Sequence, residues 1–470
     1  MNNTFTAAQA WLKELSSEAK FFRETLDQEL TAVNAILDAL GRPDKKFQHR
    51  IIIGGTAGKG TTTRYIEQAL ENYGKTTALI SSPHIQVITE RIRIGGRLIS
   101  MEDFGEYVLK VREVVYKLRN KKEERRDAVT PTYYEAIVLA GILAASEAGA
   151  EILICEVGIG GEFDAVNAVQ GPRMAAVTFI GDDHLEMFGN SPENLARAKA
   201  GIFTSDSVYN VSYEKNFRDV FRQVELELRK KKEEIDISPP LPKGEHRGIS
   251  EKQEAGGLDF LTGIKAKMSK KIAKKICEKV LGHPVVMTPV KLPCRWEKIA
   301  FNPTFLEELR KKKEERRDED SSTNIPPDKG AASNLFQKQE AGGLTLILDG
   351  AHSAPRFEYI LPKIKKLTGR KTAILGMLKN HDPESFRIIL DEFDEVIWTD
   401  FPADREIWDP SQLMENFGRG VIANSPEQAL TLALKSSEKI VITGSFQLCR
   451  EVRNLFYAPE KILEQGNEFY

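Results

Sequence analysis

The stretch from Gly54 to Thr62 reads GGTAGKGTT and decides how the first half of the chain folds. An apolar run, residues 50–53, precedes it, and a helical pattern starts near Thr61. A strand, a glycine turn and a helix N-terminus in this order aim backbone N–H groups at a phosphate, and Lys59 can reach further oxygens. The alternative is a glycine turn that only starts a helix, but the Lys and the nearby hydroxyl favour a phosphate site with ATP as its natural ligand. In the common pattern Ser or Thr follows the Lys directly, whereas Gly60 intervenes here.

On both sides of this loop, short apolar runs alternate with amphipathic helical segments, which is typical of an α/β fold. Near-continuous apolar runs indicate parallel strands covered on both faces. The predicted strands are 50–53, 76–81, 151–157 and 174–180, then 345–349, 372–376, 395–399 and 439–443. We therefore predict a P-loop-type doubly wound parallel sheet domain at 1–291, followed by a smaller Rossmann-like α/β domain at 292–470.

Three charged segments, at about 118–127, 228–258 and 309–344, interrupt this alternation. Each begins with Leu-Arg and a Lys/Glu cluster, and the last two share the sequence KQEAGGL at their ends. Basic arms for a nucleic acid are the functional alternative, but nearly matching acidic residues favour a solvated helix and a flexible loop. We predict that the segments are surface insertions, two in the first domain and one in the second, where extra loop length costs little.

The composition excludes several classes of partner. The 470 residues include 67 Lys and Arg against 69 Asp and Glu, so the net charge of −2 gives no attraction to nucleic acid or to an anionic membrane. The four cysteines form no C-x-x-C pair, which indicates buried thiols in a reducing compartment. No apolar stretch reaches the roughly 18 residues that a membrane span needs. We expect a cytoplasmic monomer that acts on small molecules.

Polar residues stand at the ends of three predicted strands of the first domain. Ser82 follows the second strand, Glu156 closes the third, and His184 follows the fourth. Ligands gather at the carboxyl ends of strands in open α/β sheets. Oxygen atoms of Ser and Glu, with one imidazole, can bind Mg2+ that also holds ATP phosphates. Taken alone, His184 is as well explained by an ordinary polar contact.

These motifs, and others along the chain, occur in the order of one enzyme family. They are LGRPDKKF at 40–47, the Gly-Lys-Gly-Thr loop, SSPH at 81–84, ERIR at 90–93, PTYYE at 131–135, EVGIGG at 156–161, Asp-Ala at 164–165, Asp-His at 183–184, KAGIF at 199–203, LDGAH at 348–352 and TGS at 443–445. On these residues the chain resembles the folylpolyglutamate synthase and dihydrofolate synthase family, a branch of the Mur ligase superfamily. The extra Gly60 agrees with this branch, since the cell-wall ligases place Ser or Thr directly after the Lys.

The resemblance implies a set of site residues in the first domain. ATP phosphates are expected at Gly58, Lys59, Gly60 and Thr61, and Mg2+ at Ser82, Glu156 and His184, with K+ as a further candidate ion. Lys199 matches the family's carbamylated lysine, whose negative charge could orient the metal site where a bare ammonium would repel the cation. The pterin-type substrate is expected at Thr132, Tyr134, Glu135, Phe163, Asp164 and Ala165.

In the second domain, the resemblance implies that Arg295 and Asp349 complete the nucleotide site. It also implies three catalytic residues, namely Lys59, Lys199 and His352. The implied activity is ATP-dependent addition of L-glutamate to a folate-type carboxylate. ATP would phosphorylate the carboxylate to give an acyl phosphate and ADP, and the glutamate amine would then displace phosphate.

Four positions depart from the family pattern, namely Ala57, Glu162, Val166 and Ser353. Glu162 is a charge reversal, because the family usually has Arg there, and an Arg would favour an anionic partner. Two alternatives therefore stay open. One is a Mur-type amide ligase that acts on another carboxylate, and the other is a nucleotide-binding relative with weakened catalysis.

Overall fold

The computed structural model describes residues 3–18, 29–121, 129–171, 173–180, 185–203, 212–213, 223, 226–227, 257–290, 292–301 and 344–465. Most of each predicted insertion, at 122–127, 228–256 and 309–343, and the candidate ligand His184 lie outside these residues. The chain divides into two compact units. The first takes in most of the described residues up to Val290, and the second runs from 291 to Pro459. Within the described ranges, no helix has the length and apolar character needed to cross a membrane.

The first unit is built on a six-stranded sheet. Its strands are β1 (His49–Gly54), β2 (Thr77–Ile80), β3 (Ile92–Ile94), β4 (Arg97–Leu98), β5 (Ile152–Glu156) and β6 (Arg173–Val177). Their order is β4-β3-β2-β5-β1-β6, and β2, β5, β1 and β6 are parallel. The predicted parallel sheet is confirmed for these four strands. The antiparallel edge of β3 and β4 was not predicted, since strands of three and two residues carry almost no pattern.

Helices cover both faces of this sheet. They are α1 (Asn3–Glu18), α2 (Glu29–Ala39), α3 (Lys59–Asn72), α4 (Met101–Lys121), α5 (Tyr133–Glu147), α6 (Pro192–Ala200) and α7 (Gly257–Leu281). In β1, Ile52 packs into one hydrophobic core, while Ile51 and Ile53 pack into the other. Because successive side chains of a strand point to opposite faces, a strand between two cores must be apolar throughout.

The fourth predicted strand is interrupted at Thr178. After β6 ends, β7 (Phe179–Ile180) leaves the main sheet and pairs in parallel with β8 (Ser212–Tyr213). The backbone N–H of Thr178 donates to the Gly54 carbonyl oxygen at 2.9 Å, and the Thr178 hydroxyl oxygen lies 3.2 Å from the same atom. Thr178 therefore ties the end of β6 to the beginning of the glycine loop.

The second unit contains its own six-stranded sheet. Its strands are β9 (Arg295–Phe301), β10 (Leu344–Asp349), β11 (Lys371–Leu375), β12 (Glu395–Thr399), β13 (Val421–Ala423) and β14 (Lys439–Thr443), in the order β13-β12-β11-β14-β10-β9. All pairs are parallel except β9 with β10. The four predicted strands correspond to β10, β11, β12 and β14. The edge strands β9 and β13 were missed, because three of the seven residues of β9 are charged and β13 has only three residues.

Five helices accompany this second sheet, and one more ends the described chain. They are α8 (Ala354–Lys365), α9 (Arg387–Leu390), α10 (Pro410–Phe417), α11 (Pro426–Ala433), α12 (Phe446–Phe456) and α13 (Pro459–Gln465). Leu463 of α13 packs against the core of the first unit. Residues 460–465 lie within the predicted second domain, 292–470, and group with the first unit in the structure.

Gly444 forms the turn between β14 and α12 at a point where three strands end side by side. Its φ is +105°, and a Cβ atom there would lie 2.3 Å from the Gly376 carbonyl oxygen and 2.8 Å from Cζ of Phe386. Its N–H donates to the Ala351 carbonyl oxygen at 2.8 Å. Only glycine combines this backbone conformation with so close an approach.

We predict that Gly444→Ala destabilises the second unit by about 3 kcal/mol, because strained backbone and a steric clash add up. Gly418→Ala is the matched control, since its φ is +63° but nothing lies within 4 Å of the added atom. This control should cost only about 1 kcal/mol. Denaturant unfolding monitored by tryptophan fluorescence measures both changes, and equal losses for the two variants would contradict the packing argument.

Candidate active site

The glycine loop connects β1 to α3 and leaves the first turn of α3 open at its N-terminus. Gly58 is the N-cap of α3 with a φ of +88°, and the helix begins at Lys59. This start is two residues earlier than the sequence pattern predicted, because the left-handed Gly58 redirects the chain at once. The Lys59 ammonium group donates to the Gly55 carbonyl oxygen at 2.7 Å. The predicted ATP-binding residues Gly58, Lys59, Gly60 and Thr61 are thus consecutive around one helix N-terminus, the geometry that attracts anions.

The loop is held in place from β6 and β7. A Cβ atom on Gly55, whose φ is +130°, would lie 2.3 Å from the Thr178 hydroxyl oxygen. That hydroxyl lies 2.7 Å from the Ala57 carbonyl oxygen and donates to it, and the Thr56 N–H donates to the Phe179 carbonyl oxygen at 2.6 Å. Thr178 was not among the predicted site residues. No motif marks it, since its role depends on the neighbouring position of β1 and β6.

Of the three predicted metal ligands, Glu156 lies beside the loop and Ser82 contacts Glu156. Glu156, at the end of β5, is 5% exposed. A Cβ atom on Gly60 would lie 3.5 Å from one Glu156 carboxylate oxygen and 3.7 Å from the other. The backbone N–H of Ser82 donates to the same carboxylate at 3.4 Å. A larger residue at position 60 would occupy the space beside this carboxylate, so Gly60 keeps the approach open.

The donor set at this place fits a hard divalent cation. A carboxylate and a serine hydroxyl are oxygen ligands of the kind that Mg2+ prefers. Among the described residues, no group of three or more His, Cys, Asp and Glu side chains forms a metal centre. The candidate set here contains a hydroxyl and His184, and His184 lies outside the described ranges.

Tyr134, which is half-buried, and Asp164, which is buried, form a pair next to Glu156. The Tyr134 hydroxyl lies 3.2 Å from an Asp164 carboxylate oxygen and 3.2 Å from the Glu156 carbonyl oxygen, and its one hydrogen can be donated to either. Asp164 also accepts the backbone N–H groups of Gly158, Ile159 and Val166 at 2.8, 3.2 and 3.1 Å. Burial nevertheless raises the pKa of Asp164 to about 6, and burial followed by Asp164 raises the pKa of Tyr134.

The other predicted substrate residues have local structural partners. The Thr132 hydroxyl accepts the Glu135 N–H at 3.3 Å, and the Glu135 carboxylate accepts the Thr132 N–H at 2.7 Å, so the two form a capping box at the start of α5. The sequence Thr-x-x-Glu is the signal for this motif. Phe163 is half-buried and Ala165 is buried in the same loop as Asp164. The structure thus brings Tyr134, Asp164 and the N-terminus of α5 together beside Glu156.

Lys199 lies in the last turn of α6 and is only 5% exposed. An ordinary lysine on a helix keeps its ammonium group in solvent, so this burial is unusual. The loop after β5 packs against this turn, since the Glu162 N–H donates to the Ala198 carbonyl oxygen at 2.8 Å. A Cβ atom on Gly161 would lie 2.7 Å from that oxygen, which explains the glycine. A buried lysine is a candidate for altered chemistry, because burial disfavours the ammonium form.

A buried ion pair latches the Asp164 loop and was not predicted as part of the site. Arg42 donates to Asp44 at 2.7 Å and to the Ala168 carbonyl oxygen at 3.1 Å. Asp44 in turn accepts the Gln170 N–H at 2.8 Å. Both contacts fasten the chain that follows the short helix Ala165–Ala168, whose N-cap is Asp164. The sequence LGRPDKKF was noticed as a motif, but its partners lie more than a hundred residues away.

In the second unit, the predicted residues stand where β9 and β10 pair. Arg295 lies opposite Asp349 in the register of the two strands. Asp349 is buried and accepts the Ala351 N–H at 3.1 Å, whereas Arg295 is exposed and places its guanidinium 4.3 Å from the centroid of the Phe446 ring. His352 Nδ1 lies 2.8 Å from the Gly350 carbonyl oxygen. Burial, followed by the charge of Arg356, lowers the pKa of His352 well below its ordinary value.

Part of the first unit is similar in sequence to a known family of enzymes. The sequence profile of the Mur ligase middle domain matches residues 53–238. Folylpolyglutamate synthase of Arabidopsis thaliana is 40% identical over 157 residues, which are 33% of this chain and 26% of the plant protein. The match thus spans about a quarter of that relative's length.

Two solved structures share the fold over nearly the whole chain. Escherichia coli FolC in complex with DHPP and ADP has a TM-score of 0.68 and 22% identity, covering 96% of this chain and 98% of FolC. A bifunctional folylpolyglutamate synthase/dihydrofolate synthase with Mn, AMPPNP and L-glutamate bound has a TM-score of 0.66 and 21% identity, covering 95% of this chain and 97% of that enzyme. At these identities the structures establish the fold.

Residues 53–238, which include the phosphate loop, are thus similar to the Mur ligase middle domain, and the chain shares its fold with these two structures. The relative and the bifunctional enzyme that this chain resembles are named as folylpolyglutamate synthase and folylpolyglutamate synthase/dihydrofolate synthase.

We predict that Asp164 makes folding stability depend on pH. Its pKa of about 6 in the folded protein lies above the ordinary 3.8, so the folded state binds the proton first as the pH falls. Relative to Asp164→Asn, the wild type should therefore gain about 1 to 3 kcal/mol of stability between pH 7 and pH 4. Urea unfolding at several pH values measures the difference. Asp409→Asn is the control with the opposite sign, because hydrogen bonds from Ser411 lower the pKa of Asp409.

Proposed function

We propose that this chain is an ATP-dependent ligase that joins L-glutamate to a folate-type carboxylate and releases ADP and phosphate. The observation that carries the proposal is the position of the Glu156 carboxylate against Gly60, in the first turn of the phosphate-loop helix. An anion-attracting helix end and a carboxylate suited to a cation thus share one place, as phosphoryl transfer requires. The related structures that hold ADP, AMPPNP, Mn, DHPP or L-glutamate support the same choice of ligands.

For the phosphoryl-transfer step, the N–H groups around Gly58, Gly60 and Thr61 would bind the ATP phosphates. Lys59 would exchange the Gly55 carbonyl oxygen for a phosphate oxygen, since its contact with the loop already holds the ammonium at the helix start. Mg2+ would be held by Ser82, Glu156 and, as proposed, His184, and would supply positive charge next to the phosphates. The substrate carboxylate attacks the γ-phosphorus, the bond to the β-phosphate oxygen breaks, and ADP leaves.

The folate-type substrate is proposed to lie along the N-terminus of α5 and the Asp164 loop. Tyr134, Phe163, Asp164 and Ala165 would supply the contacts of their side chains or backbone. The side chains of Thr132 and Glu135 form the capping box, so their proposed contribution is to fix the start of α5. With a pKa of about 6, Asp164 can exchange a proton near neutral pH and can therefore accept or donate a hydrogen bond to a heterocycle.

In the second unit, we propose Arg295 and Asp349 as nucleotide contacts and His352 as the residue that acts on the glutamate amine. A low pKa keeps His352 neutral near pH 7, and a neutral imidazole can accept a proton. The ammonium form of glutamate must lose a proton before its nitrogen can attack. The proposed activity thus uses three catalytic residues, Lys59, Lys199 and His352.

A carbamate on Lys199 is part of the proposal. Lys199 is buried, and a lysine in its neutral amine form can add CO2 to become an anionic carbamate. That anion could orient the ligands of the metal site. K+ is a further candidate ion at this place. We also propose a cytoplasmic location and a monomer, in line with the four buried free cysteines.

We predict that the purified chain releases ADP only when ATP, Mg2+, L-glutamate and a pterin substrate are all present. Dihydropteroate and a folate monoglutamate should be supplied in turn, and a coupled ADP assay with mass analysis of the product identifies the acceptor. Lys59→Ala should lower turnover by about 10²- to 10³-fold, because it removes a transition-state charge. Lys75→Ala is the matched control, since Lys75 pairs with Glu151 at 2.9 Å. Both residues stand before the first residues of β2 and β5, whereas Ser82 and Glu156 lie at the other ends of these strands. ADP release that needs a different carboxylate would favour the alternative ligase, and an unaffected Lys59→Ala variant would refute the phosphate-site assignment.

We predict that Lys199→Ala loses most activity and recovers part of it when a short carboxylate such as acetate is added, because the carboxylate replaces the anionic carbamate. Lys59→Ala should show no such recovery, which separates rescue at Lys199 from a general salt effect. A carbon-13 carbonyl signal from labelled bicarbonate, present in the wild type and lost in Lys199→Ala, tests the modification under native conditions. A fully active Lys199→Ala variant without that signal in the wild type would disprove it.

A further inference from the structure

Four planar side chains stand in a row in the second unit. The Arg295 guanidinium lies 4.3 Å from the centroid of Phe446, and the rings of Phe446 and His352 are edge to face at 5.9 Å. His352 then stacks on His381, with centroids 4.4 Å apart and planes at 30°. His381 lies in none of the motifs described above. It is the member of the row that no role explains.

The backbone holds His381 firmly at this position. His381 lies in the loop that follows β11. The segment around Trp408 fixes this loop, because the Trp408 indole N–H donates to the His381 carbonyl oxygen at 3.1 Å. The Trp408 N–H donates to the Met377 carbonyl oxygen, and the Lys379 N–H to the Glu406 carbonyl oxygen, each at 2.9 Å.

The two imidazoles come from strands that are not neighbours. β14 lies between β10 and β11, and its turn residue Gly444 has no side chain to separate the loops on either side. The Gly444 N–H donates to the carbonyl oxygen of Ala351, the residue before His352. Because Gly444 has no side chain, the rings of His352 and His381 can contact each other across the end of β14.

The contacts of His352 define its chemical form. A carbonyl oxygen can only accept, so Nδ1 carries the hydrogen that faces Gly350, and in the neutral ring Nε2 keeps a lone pair. Burial is the main cause of the low pKa of His352, and the charges of Arg356, His381 and Arg295 add to it. These groups face it from α8, from the loop after β11 and from β9. Asp349, at the end of β10, directs one oxygen to the Ala351 N–H.

We propose that His381 is a positioning residue whose stacked ring holds His352 as an oriented, neutral proton acceptor for the glutamate amine. This inference rests on the proposed ligase function. In the step concerned, the C–N bond forms and the C–O bond to phosphate breaks. Of the two protons that leave the ammonium nitrogen, one goes to His352 and the other to the released phosphate, and His352 then returns its proton to water.

Two properties of the stack produce this effect. Two imidazolium rings with centroids 4.4 Å apart would repel each other, so both do not carry an extra proton together. The face of His381 also covers His352 and keeps water from stabilising its charged form. A ring that served only as filler would contribute packing and would leave the titration of His352 unchanged.

The test is a pH titration of the full-length chain labelled with carbon-13 in its histidine rings. The His352 signal is identified as the one lost in His352→Gln. We expect its midpoint to rise in His381→Phe, which keeps a flat ring but removes the charge, and to rise further in His381→Ala, which also admits water. His283→Ala is the control, because His283 is exposed and its ring contacts Tyr73. This control should leave the His352 midpoint unchanged.

Kinetics provide the second readout. Raising the pKa of His352 increases its protonated fraction at low pH, so the ratio of kcat at pH 8 to kcat at pH 6 should increase in the order wild type, His381→Phe, His381→Ala. An unchanged His352 midpoint, with kcat lowered equally at every pH, would show that His381 only packs and would overturn the inference. If His381→Ala fails to fold, His381→Phe decides alone. A wild type without ligase activity would refute the proposed function, whereas the titration would still show whether His381 controls His352.

Discussion

The approach of the α3 backbone to the Glu156 carboxylate is the constraint on which the candidate site depends. It requires β1 and β5 to be neighbours in the sheet, and it requires α3 to begin directly at Lys59. Gly58 provides the second condition through its left-handed conformation, and Gly60 leaves room beside the carboxylate. A phosphate group and a cation could then meet at one point of the fold, because the positive helix end and the negative side chain are a few ångströms apart.

Burial of ionisable groups is the second property that gives this site its chemistry. Water stabilises charges better than protein does, so burial pushes each group toward its neutral form. Burial raises the pKa of Asp164 to about 6, close to neutral pH. Three backbone N–H groups stabilise its carboxylate and so offset part of this effect. Lys199 is also buried and His352 is half-buried, and each has a proposed role that a solvated side chain could not perform. Perturbed pKa values of this kind are typical of functional sites.

Glycine has a related function in each unit. In the first unit, Gly55 lets the phosphate loop pass against the Thr178 hydroxyl, and Gly161 lets the following loop reach α6. In the second unit, Gly444 lets the ends of β10 and β11 approach each other across β14. A side chain at any of these positions would separate two segments that carry candidate site residues. The glycines therefore shape the site by allowing these segments to lie close together, and none of them takes part in the reaction.

The sequence by itself determined the α/β class, four parallel strands in each sheet and the place of the phosphate loop. These features are local, because a strand buried on both faces must be apolar and a left-handed turn favours glycine. The family motifs also located Glu156, Asp164 and Lys199. Only the tertiary structure decided which distant residues became partners. Thr178 supports the loop because β6 lies beside β1. Arg42 binds the Asp164 loop although more than a hundred residues separate them in sequence. His381 contacts His352 because a glycine follows β14, the strand between theirs. Such contacts follow from strand order and from the approach of backbones in space, and no spacing along the chain encodes them.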